Sequence, residues 1–92
     1  MKESEIEKQV CDYATFKGII VRKFTSPGHR GVPDRIFFAP RGRVFLIEFK
    51  KPGGSIRPDQ IREVDLLRTN NIDVRIIDNV IDGRAVVEFY AQ

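Results

Sequence analysis

The sequence predicts a small α/β domain, a mixed sheet flanked by helices, and three observations predict it. Residues 35–39 and 43–49 are two apolar, aromatic-rich runs separated only by Pro40-Arg41-Gly42, as in an antiparallel hairpin. Apolar residues recur at helical spacing on either side of that pair, at Ile6, Val10, Tyr13 and Ala14 before it and at Ile61, Val64 and Leu67 after it. A further β-branched run, 73–77, closely follows the second helical pattern, so it can return as a right-handed crossover parallel to a neighbouring strand.

The first helix is expected over 3–17, with Gly18 as its stop. Residues 19–24 are rich in β-branched side chains and read as strand one. Residues 25–33 are dense in Gly and Pro and form a loop. Strands two and three are the hairpin pair. Another Gly- and Pro-containing loop, 50–57, leads to Pro58, which suits a first helical turn because its missing N–H would have no partner there anyway. The second helix should run to about Asn70, with Asn70-Asn71 closing it, since Asn tolerates the left-handed conformation. Strand four follows at 73–77. The tail, 83–90, carries Val86, Phe89 and Tyr90 at helical spacing and reads as a short helix, although its composition also suits a strand.

With 92 residues, one domain spanning 1–92 is expected. Apolar residues make up 41% and charged residues 32%, a globular composition, and the formal charge of +3 suits a polyanionic partner. The single cysteine, Cys11, excludes an internal disulfide and reads as a small apolar thiol of the first helix. The polar, acidic start argues against a signal peptide, and no apolar run approaches a membrane span. A cytoplasmic protein is expected, with no membrane and no small-molecule cofactor.

The chemistry-bearing pattern is Gly31-Val32-Pro33-Asp34, then Glu48-Phe49-Lys50, with Glu48 fourteen residues after Asp34. On antiparallel strands joined by a tight turn, Asp34 falls opposite or diagonal to Glu48, and opposed Cβ atoms lie roughly 4.5–5.5 Å apart. Two carboxylates that close repel unless a cation lies between them, and Mg²⁺ is commonly held by one or two carboxylates while keeping several waters. Lys50 is two residues beyond Glu48 and so shares its face. There it can offset charge developing on a phosphate. Taken singly, Asp34 suits a turn and Glu48 and Lys50 suit a solvated strand face. Taken together they do not, because alternation puts Glu48 on the face of Leu46, where a buried carboxylate needs a partner.

These residues resemble a known family. Gly31-Val32-Pro33-Asp34, Ile47-Glu48-Phe49-Lys50-Lys51-Pro52 and Pro58-Asp59-Gln60 together look like the virus-type replication-repair nuclease domain (VRR-NUC) of the PD-(D/E)XK, restriction-endonuclease-like superfamily, over nearly the whole chain. The resemblance implies an αβββαβ core, phage-type relatives and Mg²⁺ or Mn²⁺ as cofactor. It implies Asp34, Glu48 and the backbone carbonyl of Phe49 as metal ligands, Lys50 as the catalytic lysine and Gln60 as a site residue. It also implies an acidic or amide group on the first helix, for which Glu7 is the choice, with Glu3 and Glu5 close by. The chain departs from the family at Arg57, where a small helix-capping residue is more usual. Resemblance to small members further implies a homodimer cutting branched DNA, such as a Holliday junction. Apolar groups at 44–47, Ile56 and 86–90 look more than one core requires and would suit a dimer interface.

Arg30, Arg35, Lys51 and Arg57 flank the motif and are expected to hold DNA phosphates, which positions nucleic acid without reading bases. His29, the sole histidine, could be a proton shuttle, a phosphate contact or neither. The function expected is therefore a metal-dependent, structure-specific DNA endonuclease. The rivals are a DNA-binding module of weak activity and a structural subunit of a larger replication or repair complex.

Overall fold

A computed structural model describes residues 1–92. Helix α1 (Glu3–Phe16) precedes strands β1 (Ile20–Lys23), β2 (Arg35–Ala39) and β3 (Arg43–Phe49). Helix α2 (Pro58–Thr69), strand β4 (Asp73–Ile77) and helix α3 (Val80–Ala91) complete the chain. The four strands form one sheet in the order β1-β2-β3-β4. The first three are antiparallel, and β4 lies parallel to β3. The expected mixed sheet flanked by helices is the observed architecture.

Strand β3 is central, and its residues from Phe45 to Phe49 are all buried. One face carries Phe45, Ile47 and Phe49 into the main core with Phe37, where Ile6, Val10 and Ala14 of α1 and Val86, Val87 and Tyr90 of α3 cover them. Phe37, Phe45 and Tyr90 stack in series, with centroids 4.6 and 4.2 Å apart. The other face buries Leu46 with Val74 and Val64 of α2. This second layer is small, and its polar extension along β3 is where Glu48 lies.

Several boundaries differ from expectation, each for a local reason. β1 is shorter at both ends, since Ile19 is in the core bonded to Ala14 rather than in the ladder, and Phe24 donates its N–H to the Asp34 carbonyl beyond the last pairing. Helix α2, by contrast, closes as expected: it stops at Thr69 with Asn70 as its cap, and Asn71 takes the left-handed conformation (φ 62°). Helix α3 begins at Val80, three residues before Gly83, because the Asn79 side chain accepts the Asp82 N–H and caps it. Ile61 does not face inward. It is 42% exposed, and Gln60 and Val64 are the buried residues of α2. The apolar surplus assigned to a dimer interface is largely core: Phe45, Leu46, Ile47, Val86, Val87 and Tyr90 are buried, and Ile56 packs against the Leu46 cluster. Only Val44 and Phe89 of that set are exposed.

Candidate active site

The β2–β3 register builds the site. Arg35 pairs with Ile47, so one step further along the hairpin brings Asp34 level with Glu48. The Phe49 N–H donates to Asp34 Oδ2 at 2.8 Å, tying the carboxylate to the edge of β3 where β2 ends. In an antiparallel pair one residue's N–H and C=O point to the same side, so the Phe49 carbonyl faces the Asp34 side as well.

Glu48 is 2% exposed. Its Oε2 accepts from Gln60 Nε2 at 2.7 Å and lies 3.3 Å from Lys50 Nζ. Gln60 Oε1 accepts from Lys50 Nζ at 2.8 Å and from the Arg57 N–H at 3.0 Å. The orientation of the Gln60 amide follows from chemistry, because an ammonium and a backbone N–H can only donate and an ionised carboxylate can only accept. Gln60 thus does two things: it satisfies an orphan N–H at the start of α2, and it joins Glu48 to Lys50. The first of these is the Gln half of a capping box, the half that does not depend on a small residue at position 57.

Burial pushes the Glu48 carboxyl up to about 7; the Asp34 charge adds to this, and Lys50 opposes it. Burial also raises Asp34, opposed first by the Phe49 N–H and reinforced by the charges of Glu7 and Glu3. Glu48 Oε1 is buried with no hydrogen-bond partner. An orphaned carboxylate oxygen, in a pair whose ionisation is disfavoured, is the donor set a cation completes. The chemistry of these groups fits a divalent ion of the Mg²⁺ type, which Asp34, Glu48 and the Phe49 carbonyl could hold. No cluster of three His, Cys, Asp or Glu side chains is assembled anywhere, so this site rests on two carboxylates.

On α1, Glu7 Oε2 is paired with Arg35 Nε at 2.6 Å. Glu3, one turn earlier on the same helix face, bears on both Asp34 and Glu48 by charge. Glu5 turns back to the helix start, where its Oε1 accepts the Lys2 N–H at 3.3 Å. Of the expected phosphate contacts, Lys51 is exposed, Arg57 binds Asp59 at 3.2 Å, Arg30 lies 4.0 Å from Asp59, and Arg35 is taken by Glu7. Sequence reasoning did not single out Glu63, which is bonded to His29 at 2.8 Å, or Arg62. Arg62 joins His29, Arg30 and Arg57 in lining a cleft of about 550 Å³. Helical spacing from Asp59 to Glu63 was visible, but nothing local said that a loop lay against it.

This topology, with a paired Asp and Glu-x-Lys at one end of its two central strands, defines a domain of the PD-(D/E)XK, restriction-endonuclease-like class. The chain belongs to the VRR-NUC domain family, whose pattern it matches over residues 4–80. It is 38% identical over 79 residues to "Putative nuclease p44" of Acyrthosiphon pisum secondary endosymbiont phage 1, a match covering 86% of this chain and 85% of that one. A solved structure titled "VRR_NUC domain" superposes with a TM-score of 0.88 at 26% identity, covering 98% of each chain. The family resemblance drawn from the GVPD and Glu-x-Lys residues is borne out. No helix is long and apolar enough to cross a membrane.

Proposed function

We propose that this nuclease-family domain is a Mg²⁺- or Mn²⁺-dependent, structure-specific DNA endonuclease that hydrolyses phosphodiester bonds. The observation that carries the metal reading is the buried, unpartnered Oε1 of Glu48 beside Asp34. A divalent ion there would supply Lewis acidity toward a phosphoryl oxygen and acidify water. Lys50 holds its ammonium beside Glu48 and Gln60, fixed by both, and is available to stabilise negative charge on a phosphate. Gln60 keeps Glu48 Oε2 occupied, which leaves Oε1 as the free donor. Lys51, Arg30 and Arg57 are exposed and would offer positive charge to the DNA backbone, with Arg57 and Arg30 exchanging Asp59 for phosphate on binding.

The favoured substrate in this reading is branched DNA, a four-way junction cut on opposed strands by a homodimer. A domain this small has little surface to grip a junction, and two copies on a two-fold axis present two sites to two strands. Incubation with supercoiled, linear, single-stranded and four-way-junction DNA, each with Mg²⁺, Mn²⁺ or EDTA, is the test. Metal-dependent nicking lost in EDTA and in Asp34→Ala and Glu48→Ala is expected. Cleavage that persists in EDTA would reject the metal reading, and equal rates on linear ends and junctions would reject the substrate.

A further inference from the structure

We propose that the loop 25–33 is clamped onto helix α2 so that α2 sets the position of Asp34, with His29, Gly31 and Glu63 as the positioning residues. The inference rests on the reading of Asp34 as a metal ligand. Two contacts fix the loop to the first two turns of α2, one through His29 and one through the Gly31 backbone, and the exposed Arg30 lies near the same turn. His29 Nε2 and Glu63 Oε1 are 2.8 Å apart. Arg30 Nε is 4.0 Å from Asp59 Oδ2. The Gly31 backbone lies so close to Asp59 that a Cβ on Gly31 would fall 2.6 Å from the Asp59 carbonyl oxygen and 2.9 Å from its carbon. Gly31 also has φ +91°, so both its conformation and its neighbour call for glycine.

Asp59 and Glu63 are four residues apart and share one face of α2. Gln60, next to Asp59, turns to the sheet and holds Glu48 and Lys50. The loop therefore grips the same helical turn that orients the rest of the site. Between Gly31 and Asp34 there is little slack. Pro33 is fully buried, its φ is fixed by the ring, and Val32 before it is confined to extended backbone. A shift at the clamp is passed on to the Asp34 carboxylate. His29, with its Nε2 committed to Glu63, acts here as a pin.

The Phe49 amide reports the outcome directly, because it donates to Asp34 Oδ2, while the adjacent Lys50 amide donates to the Ile77 carbonyl. Amide exchange at both is measured by NMR on the metal-free full chain, alongside Mn²⁺ calorimetry. His29→Ala and Glu63→Ala are expected to speed exchange at Phe49 several-fold, the scale of one partly exposed hydrogen bond, and to leave Lys50 unchanged. Mn²⁺ affinity should fall by up to about tenfold, the low end of what losing an outer partner costs. Glu63→Gln, which keeps an acceptor for His29, should restore both readouts. Gly31→Ala should shift them further, and if it does not fold the His29 and Glu63 variants decide. Unchanged Phe49 exchange in both alanine variants, or equal acceleration at Phe49 and Lys50, would overturn the clamp. A wild type that binds no Mn²⁺ would instead sink the metal-ligand reading, and the Phe49 amide would still decide the clamp.

Discussion

Lys50 is held by two acceptors, Gln60 Oε1 and Glu48 Oε2, and each limits where its ammonium can point. Lys50→Ala should therefore lower turnover by about 10²–10³ while Mn²⁺ binding survives. Lys50→Arg should not restore the rate, because a planar fork cannot occupy the place of a compact ammonium. Single-turnover cleavage beside calorimetry checks both, and near-wild-type turnover of the alanine variant would remove Lys50 from the chemistry and leave it a buried structural partner of Glu48 and Gln60. Glu48 carries a second consequence. Its carboxyl titrates near 7 when folded and near the ordinary 4.5 when unfolded, so between these values the folded state holds the extra proton. Metal-free stability should thus be highest below about pH 4.5, as far as this group is concerned, and be lost as pH rises through about 7. Urea midpoints across that window, compared with those of Glu48→Gln, isolate the contribution, and Mn²⁺ should recover the loss at pH 8. Parallel pH profiles for wild type and variant would remove it.

At the scale of elements, α1 presents Glu3 and Glu7 to the site and spends Glu5 on its own N-terminus. Activity should fall in Glu3→Gln and Glu7→Gln and stay near wild type in Glu5→Gln, measured as initial cleavage rates. A sensitive Glu5 would mean that the helix is turned by about 100° per residue misplaced. The helix is held in that rotation by α3. Gly83 of α3 meets Val10 so closely that a Cβ would lie 2.4 Å from Val10 Cγ2. Gly83→Ala should cost about 1–3 kcal/mol by overpacking, read as a lowered Tm. An unchanged Tm would show that the α1–α3 interface has room. The spacing of Ile6, Val10 and Ala14 made the buried stripe of α1 legible in the sequence, and all three are fully buried. The partner that presses on Val10 was not legible, because it comes from a helix more than seventy residues away.

The whole molecule leaves one apolar row uncovered. Ile20 pairs with Phe38 and Phe38 with Val44, and all three are exposed on the sheet face that α2 covers only in part. The proposed homodimer has this row available, in place of the residues that folding takes into the core. Light scattering should report about twice the chain mass of 10.6 kDa. Phe38→Asp should return the monomer with its far-UV circular dichroism intact. A wild type that scatters as a monomer at micromolar concentration would end the dimer proposal without touching the metal site.

The sequence by itself determined the order of elements and the pairing that matters most. Two short apolar runs around a three-residue turn can pair in few ways, so strands β2 and β3 and the meeting of Asp34 with Glu48 and Lys50 followed from local pattern and strand periodicity alone. Tertiary structure decided what those groups feel and which neighbours they have. That the buried Glu48 keeps one oxygen unpartnered, that Gln60 rather than Ile61 turns inward, and that Glu7 is claimed by Arg35 all depend on how α1 and α2 rotate against the sheet. Rotation is set by packing summed over both faces of β3. The same is true of the loop that carries Asp34, which hydrogen-bonds to a helix some thirty residues away, because contacts across such separations leave no periodic trace in the chain.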